Sequence, residues 1–121
     1  MGKRIVVVDD FNTSRQIIKK ILMQKGYVVD EASDGREALK FFDGTKIDLV
    51  ISDYNMPNMD GAMLVEYIRK KDEYRYIPIL ILSNETNVEK QNRAKDAKIT
   101  GWIRKPFNVA EFTKLIEKVL Q

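Results

Sequence analysis

Short apolar runs alternate along the chain with longer segments in which apolar residues recur every three or four positions. The short runs predict strands at residues 5–8, 27–31, 48–52, 79–82 and 101–104. The longer segments predict helices at residues 12–26, 34–42, 87–97 and 108–120, with one more after Gly61. Because each strand is followed by a helix, the pattern predicts a parallel sheet covered on both faces.

Most of these helices have clear ends and a clear apolar stripe. Asn12 or Thr13 can cap the first helix and Gly26 can end it, while Asn108 caps the last, with Glu111 at the capping-box position. The stripes predicted to face the core are Ile17, Ile18, Ile21 and Leu22 in the first helix, Leu64, Val65 and Ile68 in the third, and Val109, Phe112, Ile116 and Val119 in the last.

The fourth helix has little apolar surface to bury. Its apolar residues are Val88, Ala94 and Ala97, and Gln91 and Asn92 occupy the turn expected to face the core. Since most helix stability in proteins comes from packing of an apolar face, we expect this helix to be the most weakly held element.

Composition narrows the class of protein. The 121 residues suffice for one domain, and 44% hydrophobic with 32% charged residues is typical of a globular protein. No apolar run is long enough for a membrane span or a signal peptide, so we expect a cytoplasmic protein. The net charge of +3 comes from interleaved acids and bases, which favours a solvated surface over a nucleic-acid-binding one.

The chain has no cysteine and no histidine. Disulfides, zinc–thiolate sites, cysteine nucleophiles and histidine bases are therefore excluded. Any chemistry must use carboxylates, hydroxyls, amides or lysine.

Polar residues stand at the ends of most of the predicted strands. Asp9 and Asp10 follow the first strand, Asp53 the third, Ser83 the fourth and Lys105 the fifth. Because ligands bind outside the carboxyl ends of parallel strands, we expect these side chains to converge. Taken singly, the aspartates and the serine could be helix caps, and Lys105 could lie in a solvated turn.

Such a group suits phosphoryl transfer. Three neighbouring carboxylates repel one another unless a cation neutralises them. Oxygen ligands without histidine or cysteine suit Mg²⁺, which binds through carboxylates, waters and phosphate oxygens. A divalent cation, an ammonium and a hydroxyl supply the positioning and charge neutralisation that phosphoryl transfer needs.

The chain resembles the receiver domains of two-component response regulators, in particular those of chemotaxis. The densest match is Ser-Asp-Tyr-Asn-Met-Pro-Asn-Met-Asp-Gly at residues 52–61, supported by Val-Val-Val-Asp-Asp-Phe at 6–11 and Lys-Pro-Phe at 105–107. The resemblance implies an α/β, doubly wound, five-stranded parallel sheet of the flavodoxin-like (CheY-like) type, in the order 2-1-3-4-5. It covers the whole chain, so we expect one receiver domain over residues 1–121.

The resemblance also implies roles for the site residues. Asp53 would accept the phosphoryl group as 4-aspartylphosphate, and Asp10, Asp53 and the backbone oxygen of Asn55 would bind Mg²⁺ directly. Asp9 would act through a metal-bound water. Lys105 and Ser83 would contact phosphoryl oxygens, together with backbone N–H groups near Asn55 and Asn84. The Lys105–Pro106 peptide bond is expected to be cis.

A switch is implied as well. Ser83 would move towards the phosphoryl group, and Trp102 would rotate inward, although it could also be a simple packed aromatic. Asn55 and Glu85 would tune dephosphorylation and make it fairly rapid. Lys98 and Ile99 stand where a Gly-Ala pair is common, so Lys98 would be strained if that turn needs a positive φ.

These roles predict a signalling protein that is not an enzyme beyond its own phosphorylation and dephosphorylation. Its donor would be a sensor histidine kinase of the chemotaxis (CheA-like) type. Its output surface, on the fourth helix, fifth strand and fifth helix, would suit an acidic flagellar motor switch protein, and a phosphatase is a further candidate partner. The expected basic residues of that surface are Arg93, Lys95, Arg104, Lys114 and Lys118. We expect a monomer.

Three alternatives remain open at this point. The chain could be a phosphorelay intermediate or a receiver cut from a larger regulator. It could be a Mg²⁺-dependent phosphatase or phosphotransferase, although asparagine at position 55 replaces the second acid–base aspartate of such enzymes. Direct DNA binding is a third alternative, but no recognition-helix motif supports it.

Overall fold

Parallel strands form the centre of the structure, a computed structural model that describes residues 2–121. The strands are β1 (Arg4–Val8), β2 (Val28–Ala32), β3 (Leu49–Ser52), β4 (Ile79–Ser83) and β5 (Gly101–Arg104). The helices are α1 (Asn12–Gln24), α2 (Gly35–Leu39), α3 (Gly61–Arg69), α4 (Val88–Asp96) and α5 (Val109–Val119), with a 3₁₀ turn at Asp72–Tyr74.

The sheet has the order β2-β1-β3-β4-β5, and every pairing is parallel. The predicted fold class is therefore confirmed. Val8 at the end of β1 pairs with Ala32 on one side and Ser52 on the other. The carboxyl ends of these strands thus lie side by side, and the residues that follow them meet at one edge of the sheet.

Each face of the sheet carries its own hydrophobic core. Val6 and Val8 point to the side covered by α2, α3 and α4, where Leu64, Val65 and Ile68 are buried as predicted. Ile5 and Val7 point to the opposite side. That side is covered by α1 and α5, whose buried residues include Ile18, Leu22, Phe112 and Ile116. Alternate strand residues therefore serve opposite cores, which is why the strands are apolar throughout.

The start of α1 differs from the prediction. Its N-cap is Phe11, and neither Asn12 nor Thr13 caps the helix. The reason is that the Asp9 carboxylate accepts a hydrogen bond from the Phe11 N–H (2.9 Å) and fixes the entry of the helix. The apolar stripe is also narrower than predicted, since Ile17 is exposed.

The later helices begin as predicted, but their first apolar residues do not reach the core. Asn87 caps α4 and Asn108 caps α5, each through its side chain. Val88 and Val109 are nevertheless exposed. Each is the first residue of a helix that begins beyond the carboxyl end of a strand, so the apolar stripe meets the sheet only from the second turn.

The inward row of α4 is shifted relative to the prediction. Gln91 is half-buried, Ala94 and Ala97 are buried, and Asn92 is exposed. The buried row advances in steps of three, which places Asn92 about 100° around the helix from it. The core-facing role predicted for Asn92 is therefore wrong, whereas the scarcity of apolar contacts is confirmed.

The turn between α4 and β5 does need a positive φ, the condition under which strain at Lys98 was expected. Lys98 has a φ of 77°, in the region that favours glycine. Its carbonyl oxygen accepts hydrogen bonds from the Arg69 guanidinium, at 2.8 Å from Nη2. Arg69 also donates to the carbonyl of Ile77 at 2.6 Å, so one side chain ties the end of α3 to two neighbouring turns.

Two further boundaries differ. The second helix ends at Leu39 instead of continuing to Phe42, although Phe42 is buried. The 3₁₀ turn at Asp72–Tyr74 was not predicted. Over residues 2–121, no helix combines the length and the apolar character needed to cross a lipid bilayer.

Candidate functional site

The three predicted carboxylates meet at one edge of the sheet. Asp9 and Asp10 follow β1, Asp53 follows β3, and one oxygen from each lies within 4.8 Å of the others. This closeness follows from the pairing of Val8 with Ser52, which places the ends of the two strands side by side. Asp9 is buried, Asp53 is partly buried and Asp10 is exposed.

Asp9 is held on both carboxylate oxygens. Its Oδ1 accepts from the Phe11 N–H at 2.9 Å, and its Oδ2 accepts from the Lys105 ammonium at 2.9 Å. Burial of a carboxylate is costly unless the group is paired and hydrogen-bonded, and Asp9 has both kinds of partner. Each oxygen of Asp9 is thus already bound by one donor of the protein.

Lys105 spans two of the acids. Its Nζ lies 2.9 Å from Asp9 Oδ2 and 3.5 Å from Asp53 Oδ2. Its backbone N–H donates to the Ser83 carbonyl, and the Lys105–Pro106 peptide bond is cis, as expected. The hydrogen bond to Ser83 holds the end of β5 against the end of β4, and the Lys105 ammonium lies beside Asp9 and Asp53.

Asp53 is fixed by the loop that follows it. Its Oδ1 accepts from the Tyr54 N–H at 2.6 Å, and its own N–H donates to the Val8 carbonyl at 2.9 Å. The Tyr54 carbonyl in turn accepts from the Gly61 N–H at 2.7 Å, so the loop closes onto the first residue of α3. The second oxygen of Asp53, Oδ2, faces Lys105.

Ser83 lies at the end of β4 but is engaged with the next loop. It is fully buried, and its Oγ accepts from the Glu85 N–H at 3.2 Å. Its hydroxyl thus contacts the loop that leads into α4, while the carboxylates contact Lys105. Asn84, the next residue, is exposed and lines a shallow pocket with Lys105, Pro106 and Phe107.

Asn55 and Glu85 connect the two loops that flank the site. Asn55 Nδ2 donates to Glu85 Oε1 at 3.0 Å. Glu85 also accepts from the Asn87 N–H and from Lys90 Nζ. The Asn87 N–H, followed by the Asn55 and Lys90 side chains, lowers the pKa of Glu85 to about 2. The sequence analysis assigned both residues to the tuning of dephosphorylation but did not predict the hydrogen bond between them.

Trp102 lies on β5 and packs, partly buried, against the hydrophobic core that α2, α3 and α4 cover. It pairs with Ile81 in the sheet, and its ring centroid lies 5.8 Å from that of Tyr54. The side chain is partly buried. Its Nε1 is buried and has no hydrogen-bond partner among residues 2–121.

The expected basic surface is smaller than predicted. Lys95, Arg104, Lys114 and Lys118 are exposed. The Arg93 guanidinium, however, pairs with Asp60 at 2.8 Å and with Glu66 at 3.3 Å, both at or in α3. The charge of Arg93 is thus matched within the molecule.

The donor set suits a hard divalent cation. The grouped ligand atoms are all carboxylate oxygens, and Asp10 is the most exposed of them. Mg²⁺ is commonly held by one or two carboxylates together with waters and phosphate oxygens. Asp10 and Asp53 therefore fit this ion, with Asp9 in support.

Comparisons with known proteins agree with this geometry. The family model described as "Response regulator receiver domain" matches residues 5–117. The chemotaxis protein CheY-3 of Vibrio cholerae is 35% identical over 119 residues, which is 98% of this chain and 92% of that protein.

Solved structures agree as well. The chemotaxis response regulator CheY4 of Vibrio cholerae is 39% identical, with a TM-score of 0.91 over 99% of this chain and 100% of that one. A signal receiver domain of a signal transduction histidine kinase from Syntrophus aciditrophicus is 29% identical, with a TM-score of 0.90 over 98% of this chain and 90% of that one.

Proposed function

This chain belongs to the response regulator receiver domain family, and from that premise we propose that it is a phosphorylation switch with Asp53 as the phosphoryl acceptor. The observation that carries the proposal is the arrangement of charges at the sheet edge. Three carboxylates lie within 4.8 Å of one another, and Lys105 lies 3.5 Å from Asp53. Asp53 Oδ2 thus faces a fixed positive charge.

The proposed reaction moves one phosphoryl group. A carboxylate oxygen of Asp53 attacks the phosphorus of a phosphohistidine on a sensor kinase. The new O–P bond forms as the P–N bond breaks, and the imidazole leaves with the electron pair and takes up a proton. When bound by Asp10, Asp53 and the Asn55 carbonyl, Mg²⁺ supplies charge neutralisation to the transferring oxygens. Lys105 contributes a second positive charge on the same side.

The proposed switch starts from the hydrogen bond between Ser83 and the loop. Ser83 Oγ accepts from the Glu85 N–H at 3.2 Å. A phosphoryl group on Asp53 is a strong acceptor, so the Ser83 side chain would move towards it to donate a hydrogen bond and would leave the Glu85 N–H. The loop before α4 would then be released, and Trp102 would fill the space. Backbone N–H groups near Asn55 and Asn84 would complete the phosphoryl site.

The output would be a change in partner binding on α4, β5 and α5. Exposed lysines and Arg104 keep this surface basic, although Arg93 is paired internally. We expect an acidic partner, such as a flagellar motor switch protein, and a chemotaxis-type sensor kinase as donor, with both partners in the cytoplasm. The relatives named for chemotaxis support this choice. A phosphatase partner and the monomeric state also remain predictions.

A second candidate is a receiver that forms part of a larger regulator or phosphorelay. The receiver from a histidine kinase has nearly the same fold, so the fold is common to both roles. The test is to mix the phosphorylated chain with a histidine phosphotransfer domain. Transfer of the phosphoryl group to that domain would favour the relay.

The central test uses a small phosphodonor with Mg²⁺ and intact-protein mass spectrometry. We expect the wild type to gain one phosphoryl group and Asp53→Asn to gain none. Asp72→Asn, at an exposed aspartate of the 3₁₀ turn, is the matched control and should behave as wild type. Modification that persists in Asp53→Asn would contradict the proposal. Repeated turnover of a phosphoester would indicate a phosphatase or phosphotransferase instead.

A further inference from the structure

Arg15 has no role in the proposed chemistry, yet its guanidinium contacts the turn that carries the acidic residues. It lies on α1, and its side chain is 14% exposed. Nη1 donates to the Asp9 carbonyl at 2.7 Å, and Nη2 donates to Asn12 Oδ1 at 2.9 Å. One planar group therefore bridges the residues on either side of Asp10 and Phe11.

Asp10 depends on this turn for its position. Over residues 2–121, no hydrogen bond is made to the Asp10 carboxylate, whereas Asp9 is held on both oxygens. The Asp9 carbonyl belongs to the peptide unit that leads into Asp10. Because Arg15 holds that carbonyl, it fixes the peptide plane from which the Asp10 side chain extends.

Glu31 orients Arg15 from the other side. Its Oε1 accepts from Arg15 Nε at 2.9 Å, and its Oε2 lies 2.5 Å from Lys19 Nζ. Hydrogen bonds from Lys19, Arg15 and Gln16 lower the pKa of Glu31 to about 2. Glu31 is thus ionised at neutral pH and holds the guanidinium against the end of β2.

We propose that Arg15 is a positioning residue for the cation site, acting on Asp10 through the Asp9 carbonyl. This inference rests on the proposed function, since it assumes that Asp10 binds Mg²⁺. A positioning role and a pure charge effect predict opposite changes in Mg²⁺ affinity when Arg15 is replaced. Removing a positive charge beside three carboxylates strengthens cation binding by Coulomb's law, whereas removing a positioning group weakens it.

The test measures Mg²⁺ affinity by the backbone amide shifts in ¹H–¹⁵N NMR spectra during titration with MgCl₂ at constant ionic strength. Arg15→Met should weaken binding by about tenfold, the lower range for outer-shell changes at metal sites. Arg15→Lys keeps the charge but loses the planar fork, and it should weaken binding less.

Lys19→Met is the matched control. It removes another cation from Glu31 but leaves the contact between Arg15 and Asp9 intact. Its Mg²⁺ affinity should equal that of the wild type or be slightly tighter. The same spectra report whether each variant is folded, and if Arg15→Met is not, Arg15→Lys decides the question.

The possible results distinguish failure of the positioning role of Arg15 from failure of the cation site. If the wild type binds Mg²⁺ and both Arg15 variants bind as tightly as Lys19→Met, the positioning role is overturned while the cation site stands. If the wild type shows no saturable shifts at Asp10 and Asp53, the cation site itself fails and this inference fails with it.

Discussion

Lys105 offsets part of the negative charge of the site before any cation binds. Its ammonium lies 2.9 Å from an oxygen of Asp9 and 3.5 Å from one of Asp53. Asp10 has no such partner among residues 2–121, and it is the exposed member of the group. A cation arriving from solvent would therefore meet Asp10 first.

Gly61 allows the loop after Asp53 to close. A Cβ at this position would lie 2.7 Å from the Asp53 carbonyl oxygen and 3.0 Å from Tyr54 Cα. Both neighbours are backbone atoms and cannot move aside easily. We expect Gly61→Ala to lower the free energy of unfolding by about 1–3 kcal/mol, as measured by urea denaturation.

Gly101→Ala is the control for this prediction. Its Cβ would meet the end of the flexible Leu80 side chain at 3.3 Å. The loss of stability should therefore be smaller than for Gly61→Ala. Equal losses in the two variants would show that the close approach to the Asp53 loop has no special weight.

At the scale of elements, α4 is held to α3 partly by ionic contacts. Ala94 is the buried residue within α4. Arg93 pairs with Asp60, the N-cap of α3, and with Glu66 in the same helix. These ion pairs supplement the small apolar contact of the helix that is expected to move in the switch.

Arg93→Met should loosen α4. We expect faster amide hydrogen exchange in α4 and a loss of about 0.2–1 kcal/mol in the free energy of unfolding, the range for exposed ion pairs. High salt should shrink the difference between variant and wild type, because it screens the pairs.

Lys95→Met is the matched variant, since Lys95 is exposed on the same helix and makes no ion pair over residues 2–121. Its exchange rates should resemble those of the wild type. If Arg93→Met leaves α4 as protected as Lys95→Met does, the ionic contacts with α3 do not hold the helix.

The fold and most of the candidate site could be predicted from the sequence. Continuous apolar strands and regular stripes fix the fold, and the rule for strand ends groups Asp9, Asp10, Asp53 and Lys105. The start of α1 could not be predicted in the same way, because the Asp9 side chain binds the N–H of Phe11, the residue that precedes the first turn of the helix. The bonds from Asn55 to Glu85 and from Arg15 to Asp9 depend on side-chain geometry between separate segments, which leaves no periodic signal.

At the scale of the whole molecule, stability should fall in acid. The pKa of Glu31 is lowered from 4.5 to about 2 by hydrogen bonds from Lys19, Arg15 and Gln16. Below pH 4.5 the unfolded chain binds a proton at Glu31 that the folded protein does not. The stability contributed by Glu31 is therefore complete above that pH and is lost as the pH falls towards 2.

Urea denaturation at a series of pH values measures this loss. Glu31→Gln should be less stable than the wild type at neutral pH, with a shallower decline in acid. Glu89→Gln, at an exposed position of α4, is the control and should follow the wild-type curve. If the free energy of unfolding of Glu31→Gln fell with pH as steeply as that of the wild type, Glu31 would not be the source of the loss in acid.

Trp102 has a further consequence for the molecule. It is the single tryptophan of the chain, and its ring lies beside Tyr54, the residue next to Asp53. The colour and yield of indole emission depend on the polarity and water around the ring. The protein therefore contains one natural fluorophore close to its candidate site, and a rearrangement of β5 would change the light that this residue emits without any added label.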